Sequence, residues 1–594
     1  MIGIQGSKPD GAKLAILNSR IEGIAKKMAN TLLRTGRSGV LNRARDFSVC
    51  VVTRDARLLS SAEGLPIHVL VGADMMCAAM CRFHPVLKRG DAFLHNSPYH
   101  GNSHAGDHTL IVPVIDSSGE HQLSVIAKAH QADIGNSLPI TLHASAKDVY
   151  EEGALIFPCV KVQENYKTIG DFQRMCEMRI RVPEQWRGDF LAMVGAARVG
   201  EREFLALGDE IGWEAIHSFS ESWFDYSEAR MIDAIRAMPI GRASWTSIHD
   251  PFPGTPKDGV PIKATVEIRP DEATIDVDFR DNIDNLPCGL NLTEACSRTA
   301  AMVGIFNSID HTVPKNAGSF RRIRVQLREG AVVGIPRHPV STSLSTTNIA
   351  DNAAHCVQCA IAEIADGYGM AENGYPCAPS MASVSGVDPR NHKPYINMIF
   401  LGHSGGAASS RADCWFAVPH VGNGGLCWQD SVELDELYHP LVVYSRHILP
   451  DTEGAGTFRG APSLYVEYGP VGAPMDAGFA SAGTINPARG VRGGLPGGPS
   501  GQFLRRLDGT IDTLAQFSVI TLQPGERMMS RYCGGGGYGP PMKRNPDAVL
   551  HDVEEGWITR KRAADVYGVV IDDASMIDVP LTHFRRSAAS ATAL

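Results

Sequence analysis

Glycine fills 60 of the 594 positions, well above the roughly 7% of average usage, and this limits the possible folds more than any single motif does. A backbone with so many residues lacking a Cβ turns often and lets neighbouring segments approach closely. The expectation is therefore a β-rich architecture with many tight turns. Apolar residues at 43% and charged residues at 20% lie near globular averages and allow a large core. At roughly 150 residues per domain, the chain corresponds to about four domain-sized units.

The net charge of −9 and the sequence pI of about 6.2 lack the basic footprint of a nucleic-acid binder. This acidic balance serves solubility. Thirteen cysteines are an odd number, and they are scattered. The opening MIGIQGSKPDGAK has no apolar signal core, and no uncharged apolar stretch reaches about 18 residues. These features predict a cytoplasmic protein with reduced thiols and no membrane partner. Cys356 and Cys359 form a close pair in AHCVQCAIAEIA. Their apolar helical context reads as buried helix cysteines, not as a redox or zinc pair.

Hydrophobic spacing sets the order of elements. Leu14, Ile21, Ile24, Met28 and Leu32 form one helical face that ends near Gly36. Strands are expected at Phe47–Val52, Ala92–His95, Thr109–Val114 and Leu123–Ala127. Helical patterns cover Arg174–Gly212 and Trp213–Met238. The Pro/Gly stretch Pro251–Pro261 is a candidate boundary. ATVEI and TIDVDF then predict a hairpin, followed by helices at Thr293–Asp310 and Asn348–Asp366. From Leu441 the pattern is β-rich, with a Pro/Gly loop at Asn486–Gly501 and a helical unit at Pro546–Val569. The fold class expected is α+β: an N-terminal region (1–250), a mixed middle region (251–440) and a β-rich C-terminal region with a terminal helix (441–594).

The densest chemistry lies in NSPYHGNSHAGDHTLIVPV and AKAHQADIGN, which supply His100, His104, Asp107, His108, His130 and Asp133. Imidazole and carboxylate are ligands that zinc, manganese and iron accept. His104 and Asp107 lie three apart ahead of one strand, and His130 and Asp133 lie three apart at the end of the next. If these strands pair, both loops reach one point, and Asp46 at the start of an earlier strand could add an oxygen. Spacing alone leaves open the alternative of surface histidines and turn aspartates.

Nine stretches in register resemble the B subunits of hydantoinases and the matching half of 5-oxoprolinase, a superfamily shared with the large subunits of acetone and acetophenone carboxylases. They are RDFSVCVVTRDARLL, NSPYHGNSHAGD, AHQADIGN, DVYEEGALIFP, RVPEQWRGD, PKNAGSFRRIRV, SVELDELYHP, GAGTFRGA and GGGGYGPPMKRNPDAVLHDV. The resemblance implies Asp46, His104, Asp107 and His130 as ligands of one divalent metal ion (manganese, zinc or iron). It also marks departures at Ser97, Ser103, Gln131 and Asn136, where family members usually carry Asp, Thr or Val, His and Gly.

Two His and two Asp leave an open position for a water that the metal would acidify. Asp133 is then the expected proton acceptor or orienting group. The resemblance implies a B-type subunit that hydrolyses a cyclic amide (hydantoin, oxoproline or lactam). An ATP- and magnesium-binding A-type partner would first phosphorylate that amide, in a hetero-oligomer such as a heterotetramer. The chain has no G-x-x-x-x-G-K-[ST], and Gly534–Gly539 (GGGGYG) lacks the Lys and hydroxyl of a phosphate loop. That run reads as a tight turn or a close backbone approach. The alternatives are a ketone carboxylase subunit, or a scaffold without a site. Glu151 and Glu152 read as solvated, Arg187 and Asp189 as a structural pair, and Trp415 and Tyr438 as core or interface residues.

Overall fold

The computed structural model describes residues 11–592 apart from positions 63, 417 and 419. The N-terminal periodicity produces a helix at Gly11–Thr35 that buries Ile21, Ile24, Met28 and Leu32, and the amide of Gly36 closes on the Leu32 carbonyl. This helix packs against the long helix Pro183–Ile211. Together they cover one face of a seven-stranded sheet.

That sheet contains β1 (Phe47–Thr53), β2 (Leu58–Ala62), β3 (Ala92–His95), β4 (Asp107–Ile115), β5 (His121–His130), β6 (Val160–Glu164) and β7 (Lys167–Thr168), in the order β2-β1-β5-β4-β3-β6-β7. The pairings are antiparallel. The period of two sorts its residues between two cores. Val49, Val51, Leu110, Val112 and Val125 face the helix pair, whereas Cys50, Val52, Ile111 and Ile126 meet Met76, Cys77 and Met80 of the helix Ala73–Phe83. Each fully buried Val or Ile contributes about 1.5–3 kcal/mol, so the central strands are held firmly. The stretch Pro66–Phe83 is apolar enough in composition to cross a membrane, yet 61% of it is buried inside the protein, on the second face of this sheet.

A four-stranded sheet follows, formed by β8 (Gly241–His249), β9 (Val260–Arg269), β10 (Thr274–Asp278) and β11 (Ile323–Gln326) in the order β11-β10-β9-β8. The expected hairpin is the β9–β10 pair. The stretch Pro251–Pro261 is not a linker between regions. It connects β8 to β9, which pair from Gly241 opposite Ile268 to His249 opposite Val260. Proline and glycine punctuate a hairpin connection as readily as a domain boundary. The helix Ile349–Ile364 packs on this sheet and buries Cys356 and Cys359, as expected.

The boundary placed at 440 is also crossed. Strands Pro394–Met398 and Ser383–Val387 join Met475–Ala480 and Phe517–Leu522 in one sheet. Leu441–Ile448, Leu464–Pro470, Arg527–Arg531, Gly501–Arg505 and Ile511–Thr513 form another. The helices Pro546–Glu554, Arg560–Val566 and Val579–Thr592 follow. The whole is an α+β fold.

Candidate metal centre

Three neighbouring strands deliver the site. β4 pairs with β5 so that Asp107 lies opposite His130, and β1 runs along the other side of β5 with Phe47 opposite Ala129. The Asp46 carbonyl accepts the His130 amide at 3.1 Å. Asp46, His130 and Asp107 therefore stand in a row at one end of the sheet, and His104 joins them from the loop that leads into β4.

Asp107 Oδ1 lies 3.0 Å from both His104 Nε2 and His130 Nδ1. His104 Nδ1 donates to the Ser343 carbonyl at 2.8 Å, which turns its Nε2 toward the carboxylate. His130 Nε2 is 3.2 Å from Thr141 Oγ1. The two imidazoles stack with centroids 5.1 Å apart. One ligand atom from each of His104, Asp107 and His130 lies within 4.8 Å of the others, and all three residues are buried. Gly106 makes this possible. A Cβ there would stand 2.6 Å from His104 Cε1 and 2.9 Å from His130 Cε1. Two imidazoles held through their outer nitrogens and one carboxylate are a donor set that fits a divalent zinc, manganese or iron ion.

The adjoining cavity, about 20 Å³, is lined by Asp46, His68, Asp107, His130, Thr346 and His420, with Met381 and Met398 among its apolar walls. That is the room of about one water molecule. Asp46 faces it with Oδ1 3.6 Å from His68 Nε2.

Two further groups at the centre carried no sequence signal. His68 comes from the four-residue helix Pro66–Val69, with Nε2 3.1 Å from Asp107 Oδ2 and Nδ1 3.2 Å from Ser48 Oγ. Lys128, wholly buried on β5, places Nζ 3.8 Å from Asp107 Oδ2 and donates to the His68 carbonyl at 3.5 Å. The Ser103 hydroxyl donates to the same Asp107 oxygen.

Burial alone would raise the Asp107 carboxyl, but the His104 and His68 imidazoles hold it well below the usual carboxylate range. Burial pushes the His104 ring down, and the Asp107 charge overrides it and raises the ring. Burial pushes Lys128 below its ordinary value, against the pull of Asp107. The centre thus concentrates opposite charges away from water, where they interact strongly.

Other residues of the sequence cluster lie elsewhere. His108 points to the opposite side of β4, against the Phe157 ring, and burial pushes it down to about 3. His100 bonds Ser97 Oγ at 2.8 Å. Asp133 does not join the metal residues. Its carboxylate accepts the Arg181 guanidinium at 3.0 Å, the Arg181 amide at 2.5 Å and the Gly135 amide at 3.0 Å. The turn reading of Asp133 fits these bonds, and the expected role of proton acceptor does not. Glu152 is buried rather than solvated and accepts from Ser341 Oγ at 2.8 Å. Arg187 pairs with Glu177 instead of Asp189, which accepts the Arg37 and Ser38 amides. Trp415 and Tyr438 are exposed, not core.

Residues 10–541 match the hydantoinase B/oxoprolinase family. The chain is 30% identical to the caprolactamase subunit beta of Pseudomonas jessenii over 98% of its own length and 99% of that protein's. The chain belongs to the hydantoinase B/oxoprolinase family. Its fold matches the crystal structure of the ATP-dependent caprolactamase from Pseudomonas jessenii, with a TM-score of 0.86 and 26% identity over 98% of this chain and 100% of that one. A nucleotide-free acetone carboxylase structure shares the fold at a TM-score of 0.86 and 18% identity, over 98% of this chain and 83% of that one. Membership in the hydantoinase B/oxoprolinase family thus spans every sheet described above.

Proposed function

We propose that this chain is the hydrolytic B-type subunit of an ATP-dependent cyclic amidase. It would take a hydantoin, oxoproline or lactam phosphorylated on its amide oxygen by an A-type partner, add water and open the ring. The observation that carries this reading is the buried His104–Asp107–His130 cluster beside a water-sized cavity, in a chain similar along its whole length to a caprolactamase subunit.

His104, Asp107 and His130 would hold a divalent ion, manganese, zinc or iron, with Asp46 as the fourth ligand. Such an ion polarises an oxygen placed beside it. The Ser343 carbonyl fixes the His104 ring, and Ser103, His68 and Lys128 hold the second oxygen of Asp107. Ile67, Leu142, Met381 and Met398 wall the cavity and limit it to little more than one water.

ATP and magnesium belong to the partner in this reading. Gly534–Gly537 are already committed: their amides bond the carbonyls of Gly498, Ala461, Glu372 and Leu495. The complex would be a hetero-oligomer, such as a heterotetramer, working in the cytoplasm where ATP is supplied.

The test is ring opening by the co-purified complex, with ATP, on hydantoin, 5-oxoproline and caprolactam, against acetone or acetophenone with bicarbonate. ATP-dependent opening of at least one cyclic amide is expected. Ketone carboxylation without any ring opening would overturn the reading in favour of carboxylase chemistry.

A further inference from the structure

His420 lines the same cavity as Asp46, His68, Asp107 and His130, but it arrives from a segment almost three hundred positions further along the chain. Only 3% of the residue is exposed. Its Nδ1 lies 3.2 Å from Asp351 Oδ1. Asp351 sits in the first turn of the helix Ile349–Ile364 and is itself wholly buried. Its carboxylate also accepts the amides of Val421 and Gly422 at 3.3 and 3.1 Å, so it fixes both the ring and the backbone that carries it. An ionised carboxylate only accepts, so beside it Nδ1 carries a proton, and in the neutral ring that leaves Nε2 with its lone pair. Nε2 bonds to no other described residue.

A buried carboxylate that holds one nitrogen of an imidazole lining a reaction cavity is the arrangement that general acid–base catalysis uses. Asp133, the acidic group nearest in sequence to the metal residues, is occupied by Arg181. Lys128 and His68 are occupied by Asp107. His420 is left with a nitrogen to spare.

We infer that His420 is the proton-transfer residue of the cavity and that Asp351 is its positioning residue. The inference rests on the hydrolytic reading above. As the water oxygen bonds to the activated carbon, one water proton passes to Nε2. The C=N electron pair moves to the ring nitrogen, which takes that proton back from Nε2. Water is thereby added across the C=N bond, and the imidazole returns to its starting form. The tetrahedral carbon then loses its C–N bond as its hydroxyl proton passes to the departing amine, which opens the ring and leaves an acyl phosphate.

The experiment compares wild type, His420→Gln and Asp351→Asn. The first readout is the 15N tautomer of His420 in the histidine-labelled chain, with its signals identified by their loss in His420→Gln. Wild type should be protonated on Nδ1, and Asp351→Asn should lose that preference. The second is ring opening by the complex with its partner and ATP, on the fastest of the three cyclic amides. His420→Gln should cut turnover by roughly 100-fold or more, with bound metal and melting temperature unchanged. Asp351→Asn should fall between the two. A proton on Nε2 in wild type would overturn the inference, as would His420→Gln turning over within threefold of wild type, or loss of metal with His420, which would make it a ligand. If the wild-type complex opens no ring, the hydrolytic reading fails, and the tautomer measurement still judges the dyad.

Discussion

Two glycine-dependent regions of this protein use the missing Cβ for opposite ends. At the end of the seven-stranded sheet, Gly106 makes room for side chains: the His104 and His130 rings occupy the space a methyl group would fill. In the C-terminal region, Gly535 makes room for backbone, since a Cβ there would run into the Gly406 carbonyl. Around it the Gly534–Gly537 run lies close against the Gly405–Gly406 backbone and interleaves with the Gly454–Gly460 and Gly490–Gly498 segments through amide–carbonyl bonds. An imidazole can rotate away from an intruding methyl, but a hydrogen-bonded carbonyl cannot. One glycine therefore protects a function and the other protects a fold.

Four substitutions break or sharpen that contrast. Gly535→Ala should cost the most stability, about 3 kcal/mol, read by denaturant unfolding, while the protein that still folds binds metal as wild type does. Gly106→Ala should do the reverse. Metal affinity should fall by roughly 100-fold, read by competition with a chelator, with the unfolding midpoint nearly unchanged. Equal stability losses in the two variants would erase the distinction. Ser103→Ala removes one hydrogen bond to Asp107 Oδ2 and should weaken metal binding by about 10-fold.

The smallest effect lies at the seam between the two regions, where Asp435 meets Arg43 at 3.3 Å. Burial, and then the Asp430 carboxylate, push the Asp435 carboxyl above the usual range, while Arg43 pulls it down. The folded chain thus keeps a proton that the unfolded chain releases near pH 4. Stability from this group is greatest in acid and declines as pH rises above about 4. Asp435→Asn should flatten that decline in unfolding measurements across pH, and an unchanged slope would contradict the assignment.

What was legible in the sequence follows the same division. The N-terminal helix, β1, β4 and β5 were readable because their apolar spacing is strict, and their pairing was the condition on which His104, Asp107 and His130 could meet. β8 is not legible because its inward positions include Gly241, Ser247 and His249 while Ile248 faces outward, so polarity does not follow the regular alternation of its burial. His68 could not be found, since PIHV has no metal-ligand spacing. Lys128 occupies an ordinary strand position. The Asp351–His420 pair spans 69 positions, and only the fold brings it together. Asp133 had the right residue type and spacing but the wrong neighbour, Arg181, which lies 48 positions away.

The most direct test of the account is elemental analysis of bound metal in the purified wild type and in the double variant His104→Ala with Asp107→Ala. About one manganese, zinc or iron per chain in the wild type, lost in a variant that still folds, is the predicted result. Equal metal in both proteins, or none in the wild type after expression with these metals supplied, would contradict it.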